Sequence, residues 1–169
     1  KKAPAPRASY NKPDAPEAAP KPDQDTLLTQ ANWELLWLVL HNPEYGQKLS
    51  EIIDYEWINT DSTTGRLLSR LLAELREGLI ESAEQIENIL DTVEERRLVA
   101  EIHSRELSVE EPRKQIEFCV ERLRRTHVES QIKELEQRII NSPPEAQIKL
   151  MRARKTLLSE LKRPLIFDL

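Results

Sequence analysis

Between Pro112 and Asn141 the chain runs for 30 residues with no glycine and no internal proline. That is enough for roughly 45 Å of unbroken α-helix at the ordinary rise. Ile116, Val120, Leu123 and His127 recur along it at intervals of four, three and four. Val128, Ile132, Leu135 and Ile139 then repeat the same intervals, starting one residue after the first set stops. The second stripe is therefore rotated about 100° or more around the helix axis. Had the first stripe continued, Ser130, Glu134 and Gln137 would line it, and all three are polar. A rod patterned in this way offers its first half to one neighbour and its second half to another.

The segment after the rod supplies the second neighbour. "NSPPEAQ", 141–147, ends the rod and starts another helix at once, as an αα-hairpin requires. Ser142 reads as the N-cap, Pro143 as the first helical residue and Glu145 as the partner in a Ser-x-x-Glu capping box. The returning helix, about 143–162, sets Leu150, Met151, Leu157, Leu158 and Leu161 on one arc, able to meet the second stripe. Lys149, Arg152, Lys155, Lys162 and Arg163 fall on the opposite arc. Arg154 sits within the apolar arc, so it either snorkels or pairs with an acid such as Glu134. Pro164 stops the helix and leaves "LIFDL" as an apolar tail.

The segment before the rod supplies the first neighbour. "TLLTQANWELLWLVLHN" is apolar nearly all round, the mark of a central helix. Asn42 and Pro43 open a second helix expected to reach Trp57. Asp61 or Ser62 opens a third, with Leu68, Leu71, Leu72 and Leu75 in phase, and Gly78 ends it. Two shorter helices are expected near 82–90 and 92–106, the latter opened by Asp91 or Thr92 with Glu94 and Glu95 placed for a capping box. Three glycines and few aromatic residues in 169 positions argue against strands, so the fold expected is all-α: a helical bundle, a long helix and a C-terminal helical hairpin.

Residues 1–25 hold six of the eleven prolines and almost no large apolar side chain. Such a segment buries too little to offset its ordering entropy and is expected to be a disordered linker. Since the chain does not start with Met, the expectation is that it is the trailing piece of a longer protein. The domains expected are thus a linker over 1–25, a bundle over 26–127 and a hairpin over 128–169. No apolar run is long enough to span a bilayer, and no signal peptide is expected. The single Cys119 allows no internal disulfide and fits a reducing compartment.

Charge is uneven. Residues 26–141 carry 14 basic and 23 acidic side chains, a net −9, whereas residues 142–169 carry six and three, a net +3. An acidic body repels phosphates, so nucleic acid is not an expected direct ligand. The basic end suits an acidic protein surface, although charged helix surfaces are common in any case.

Catalytic patterns are missing. There is no phosphate-cradling glycine loop and no Glu-x-x-His pair for a di-iron bundle. His103 and Glu106 share a helix face, but a solvated face is the commoner outcome. His127 reads as a core-edge residue, Cys119 as a small core residue, and Trp33, Trp37 and Trp57 as core rather than a base-stacking platform. No cofactor, metal or catalytic residue is assigned.

"NWELLWLVLHNPEYGQKLSEIIDYEWINTDSTTGRLLSRLLAEL" resembles the opening of the C-terminal domain of bacterial DnaG-type DNA primases. There, an apolar helix ending in Pro-Glu leads to an aromatic, here Trp57, and then to a Leu-Leu-x-x-Leu helix. The long helix and terminal hairpin resemble the rest of that domain, and the proline-rich segment resembles the linker after the polymerase core. The resemblance spans about residues 26–169. It implies a non-catalytic module of a cytoplasmic bacterial protein, binding the N-terminal domains of the hexameric replicative helicase and recruiting primase to the replication fork. RNA synthesis would belong to upstream domains. The hairpin would be the main hook, with Arg152, Lys155, Lys162 and Arg163 complementing charge and Leu165, Ile166 and Phe167 as apolar anchors. Two other readings stay open: the similarly folded N-terminal domain of a replicative helicase, and a self-associating helical scaffold. A monomer in solution would disfavour the second.

Overall fold

The computed structural model describes residues 24–80, 83–105 and 109–167, so the expected linker lies almost wholly outside the described residues. Seven α-helices occur among them and no strand: α1 Gln24–His41, α2 Pro43–Ile52, α3 Thr63–Arg76, α4 Ala83–Ile86, α5 Val93–Ser104, α6 Pro112–Ile140 and α7 Pro144–Leu161. The all-α expectation is met.

The apolar wrap of α1 makes it the centre of the bundle. Leu35, Leu36, Trp37, Leu38, Val39 and Leu40 are all buried in succession, which only a helix covered on every side allows. Helices α2, α3 and the first half of α6 pack around it. The core takes Leu67, Leu68, Leu71, Leu72 and Leu75 from α3 and Ile116, Cys119, Val120 and Leu123 from α6. Burying a leucine fully is worth roughly 1.5–3 kcal/mol, so this leucine-rich centre carries most of the stability.

Local signals set the ends. Helix α2 stops at Ile52 rather than Trp57, because Ile53 turns extended and the Asp54 carboxylate caps the Glu56 amide at 3.1 Å. A 3-10 turn over Tyr55–Trp57 comes next, and Ile53 and Ile58 on either side of it are both buried. Ser62 caps α3 by accepting from the Gly65 amide at 3.0 Å, and Gly78, at φ +69°, ends it in the left-handed region. The helix expected over 82–90 shortens to α4 and a 3-10 turn over Glu87–Ile89. Thr92 opens α5 with the expected capping box: its hydroxyl accepts from the Glu95 amide at 3.2 Å, and Glu95 accepts from the Thr92 amide at 3.2 Å. The end of α5 is tied to α1 by the Trp37 indole, which donates to the Arg105 carbonyl at 3.0 Å.

Glu95 is a buried acid of the bundle. It lies 5 % exposed, 2.6 Å from the Arg70 guanidinium, while Asp91 pairs with the same guanidinium. Burial alone raises its carboxyl, but the hydrogen bond from Arg70, the Thr92 and Asp91 amides and the Arg70 charge outweigh it. The pKa is held below the usual carboxylate value. A depressed folded pKa contributes stability that is present above the unfolded value, about 4.3, and is lost as pH falls through the folded value. Glu95→Gln is therefore expected to lower stability by about 1–2 kcal/mol near neutrality, with the gap closing in acid. Thermal melts of both proteins between pH 7 and 3 check this, and a constant gap would contradict it.

Candidate functional site

The two stripes of α6 separate as their phases require. Ile116, Val120 and Leu123 join the bundle core, with His127 half-buried at its margin. Val128 and Ile132 are buried too, at 6 % and 8 % exposure, but lie outside that core cluster. Helix α7 packs along this second half of α6. Its register is set at two points. The Arg154 guanidinium meets Glu136 at 2.7 Å, and the Arg124 guanidinium donates to the carbonyls of Glu160 and Arg163 at 3.5 and 2.8 Å. Along α6, Val128 and Ile132 fall between the two clamped positions, Arg124 and Glu136. Arg154 thus pairs with Glu136 rather than Glu134.

The turn differs from the expected capping box by one residue. Pro143 is the N-cap and Pro144 the first helical residue, with no side-chain cap. A residue before proline is pushed away from the helical region, and Pro143 accordingly sits extended at ψ 156°. Ser142 instead donates to the Arg138 carbonyl at 2.6 Å, and Asn141 to the Gln137 carbonyl at 3.0 Å, so both finish α6. The Gln147 side chain closes the turn on the Ser142 carbonyl at 2.9 Å.

Arg124 is the residue that sequence reasoning missed. It is 8 % exposed, held by Glu121 at 2.8 Å, and caps the C-terminal carbonyls of α7. The available signal was spacing: Arg124 comes four residues after Val120 and eight after Ile116, so it falls on the apolar face. A second arginine, Arg113, donates to the Phe167 carbonyl at 3.0 Å. Together they lay the tail back along α6.

The candidate contact residues divide accordingly. Arg152, Lys155, Lys162 and Arg163 are exposed, as their arc predicts. Ile166 is 88 % exposed, whereas Leu165 and Phe167 are half-buried and pack against the bundle core. Only one of the three tail side chains therefore faces solvent here. Met151, expected on the inner arc, lies at its edge and is 53 % exposed.

The groups with catalytic potential have structural surroundings. Burial and the adjoining Glu34 push the Cys119 thiol strongly up, outweighing Arg122 and Gln115, so it stays protonated and donates to Glu34 at 3.1 Å. The rings of His41 and His103 approach to 5.4 Å, with His41 stacked on Trp37 at 4.1 Å. No group of three potential metal ligands occurs among the described residues, and Glu106 lies outside them. The His127 imidazole contacts Gln131 at 2.9 Å and lies 3.9 Å from Glu56, bridging α6 to the 3-10 turn. Trp33 and Trp57 pack half-buried on the core, and Trp37 is within it. No helix among the described residues is long and apolar enough to cross a membrane.

No curated protein and no solved structure matches the chain. A family model described as DNA primase DnaG DnaB-binding matches residues 33–153, which takes in α2 to α6, the second half of α1 and the first half of α7. With well over half of its length matched, the chain belongs to the DnaG DnaB-binding family: it is a domain by which a DNA primase binds the DnaB helicase, a binding module rather than a catalytic one.

Proposed function

We propose that this domain grips the N-terminal domains of the hexameric helicase through the hairpin formed by the second half of α6 and α7, and that residues 26–127 form a separate supporting bundle. In this reading the domain recruits primase to the replication fork in the bacterial cytoplasm, acts as a monomer, and leaves RNA synthesis to domains upstream. Packing supports the proposal: Val128 and Ile132 of the second stripe are buried outside the bundle's core cluster, and α7 packs on α6. Charge supports it, since residues 142–169 are net positive beside a strongly acidic bundle. An acidic face on the helicase would attract the hairpin and repel the rest, giving orientation more than affinity. The same acidity disfavours direct contact with nucleic acid.

Hydrogen–deuterium exchange of the chain with and without purified DnaB from the same organism tests this. Slowed exchange is expected in 128–161, with binding weakened several-fold between about 0.05 and 0.3 M salt. Slowing confined to 31–75 would overturn the proposal.

A further inference from the structure

The hairpin has two flanks, and only one carries exposed apolar side chains. The Arg154–Glu136 contact identifies which positions lie together on that flank. Ile140 stands one turn beyond Glu136 on α6, and it is 79 % exposed. Met151 stands three residues before Arg154 on α7, and Ile148 three before that, at 53 % and 58 % exposure. Because the helices are antiparallel and Arg154 lies opposite Glu136, a position four residues beyond Glu136 lies opposite about residue 150. Ile148 and Met151 bracket it. Three of the large apolar side chains left exposed therefore gather within one or two turns at the hairpin tip. Arg152 and Lys155, each one turn from Ile148 or Met151, border them and are exposed. Elsewhere among the described residues the large exposed apolar side chains are dispersed: Leu79, Val93 and Ile166 lie far apart in sequence, and the Arg122 guanidinium covers Phe118 at 4.8 Å.

We infer that Ile140, Ile148 and Met151 form the face presented to DnaB, inserting into an apolar depression with an acidic rim that meets Arg152 and Lys155. This rests on the hairpin reading above and makes it specific. Two observations select the tip over the tail. Leu165 and Phe167 are already engaged on the bundle. The DnaB-binding family match contains Ile140, Ile148, Met151 and Arg152 and ends at 153, before the tail begins. Methionine suits such a face because its flexible thioether adapts to a partner's contour.

Met151 is also the chain's single methionine, which gives a direct readout. The intact chain is treated with hydrogen peroxide alone and in complex with purified DnaB, and sulfoxide at Met151 is measured by mass spectrometry. Protection in the complex is expected, and a pre-oxidised chain should bind more weakly, whereas Met151→Leu should resist both effects. Ile148→Gln with Met151→Gln, at exposed helical positions, should keep the melting temperature but weaken binding about 30-fold or more. Val93→Gln, at a still more exposed apolar position on α5, should change nothing. Unchanged binding by the double variant, with Met151 oxidised equally in the complex while DnaB still slows amide exchange in 128–161, would overturn this face and leave the hairpin reading standing. Amide protection confined to the bundle would overturn both. Loss of self-association of the free chain in the double variant, with DnaB binding intact, would assign the face to a second copy and overturn the inference.

Discussion

Gly65→Ala is expected to be the most damaging glycine-to-alanine substitution in the bundle. A Cβ placed on Gly65 would lie 1.8 Å from the Asn59 carbonyl oxygen and 2.8 Å from its carbon. Both are backbone atoms and cannot rotate away. The same carbonyl faces the amide of Asn32, a fully buried residue of α1, and the hydroxyl of Ser62, each at 3.4 Å. Pushing the first turn of α3 off Asn59 would thus disturb the Ser62 cap, the Asn32 contact and the seating of Leu67 and Leu68 together. A cost of about 3 kcal/mol or more is expected, or roughly 10 °C in melting temperature for a chain of this size. The other glycines serve as controls. At Gly46 a Cβ would meet Leu75 Cδ1 at 2.7 Å and Val39 Cγ1 at 3.1 Å, side-chain ends that can shift. At Gly78 nothing lies within 4 Å, and only the left-handed backbone penalises alanine, by about 1 kcal/mol. Melting curves giving Gly65→Ala no larger an effect than these two would contradict this account of the α1–α3 contact.

The bundle and the rotation of α6's stripe were legible in the sequence because both depend on periodicity. Apolar residues at helical spacing have few ways to be buried, and a change of phase along a straight rod forces a change of neighbour. Legibility failed where backbone geometry or a long side chain decided the outcome. Ser142 has the right chemistry for a capping box one residue early, but the second proline of the Pro143–Pro144 pair forces the first to be extended. Periodicity puts Arg154 on the correct arc, yet its acid is Glu136 rather than Glu134, a choice set by the register of two helices. Arg124 is invisible to charge counting: a guanidinium on an apolar face reads as a defect until the carbonyls of Glu160 and Arg163 arrive to meet it. The tail shows the same limit. "LIFDL" is apolar enough to be an anchor, but nothing in its spacing tells whether it anchors to a partner or, as Leu165 and Phe167 do, to its own bundle. Met151 falls at the edge of its arc, where a few degrees of helix rotation separate core from surface.

Ending the chain after His127 tests the proposed division into support and hook. The buried core of the bundle closes with Leu123, and among the described residues beyond His127 only the half-buried Leu165 and Phe167 reach it. Their loss should cost about 1 kcal/mol each, half the value for a fully buried large apolar side chain. Arg124, no longer covered by α7, would be hydrated. The shortened chain should therefore melt cooperatively at a lower temperature, with α1–α5 and the first half of α6 intact. It would lack Val128, Ile132, the turn and all of α7. The most direct measurement is titration of purified DnaB with the intact and shortened chains side by side, with the shortened chain's fold verified by its melt. A drop in affinity of at least about 100-fold for a still-folded shortened chain is predicted, equivalent to roughly 3 kcal/mol. Equal affinity for the two chains would contradict the hairpin as the element that holds the helicase.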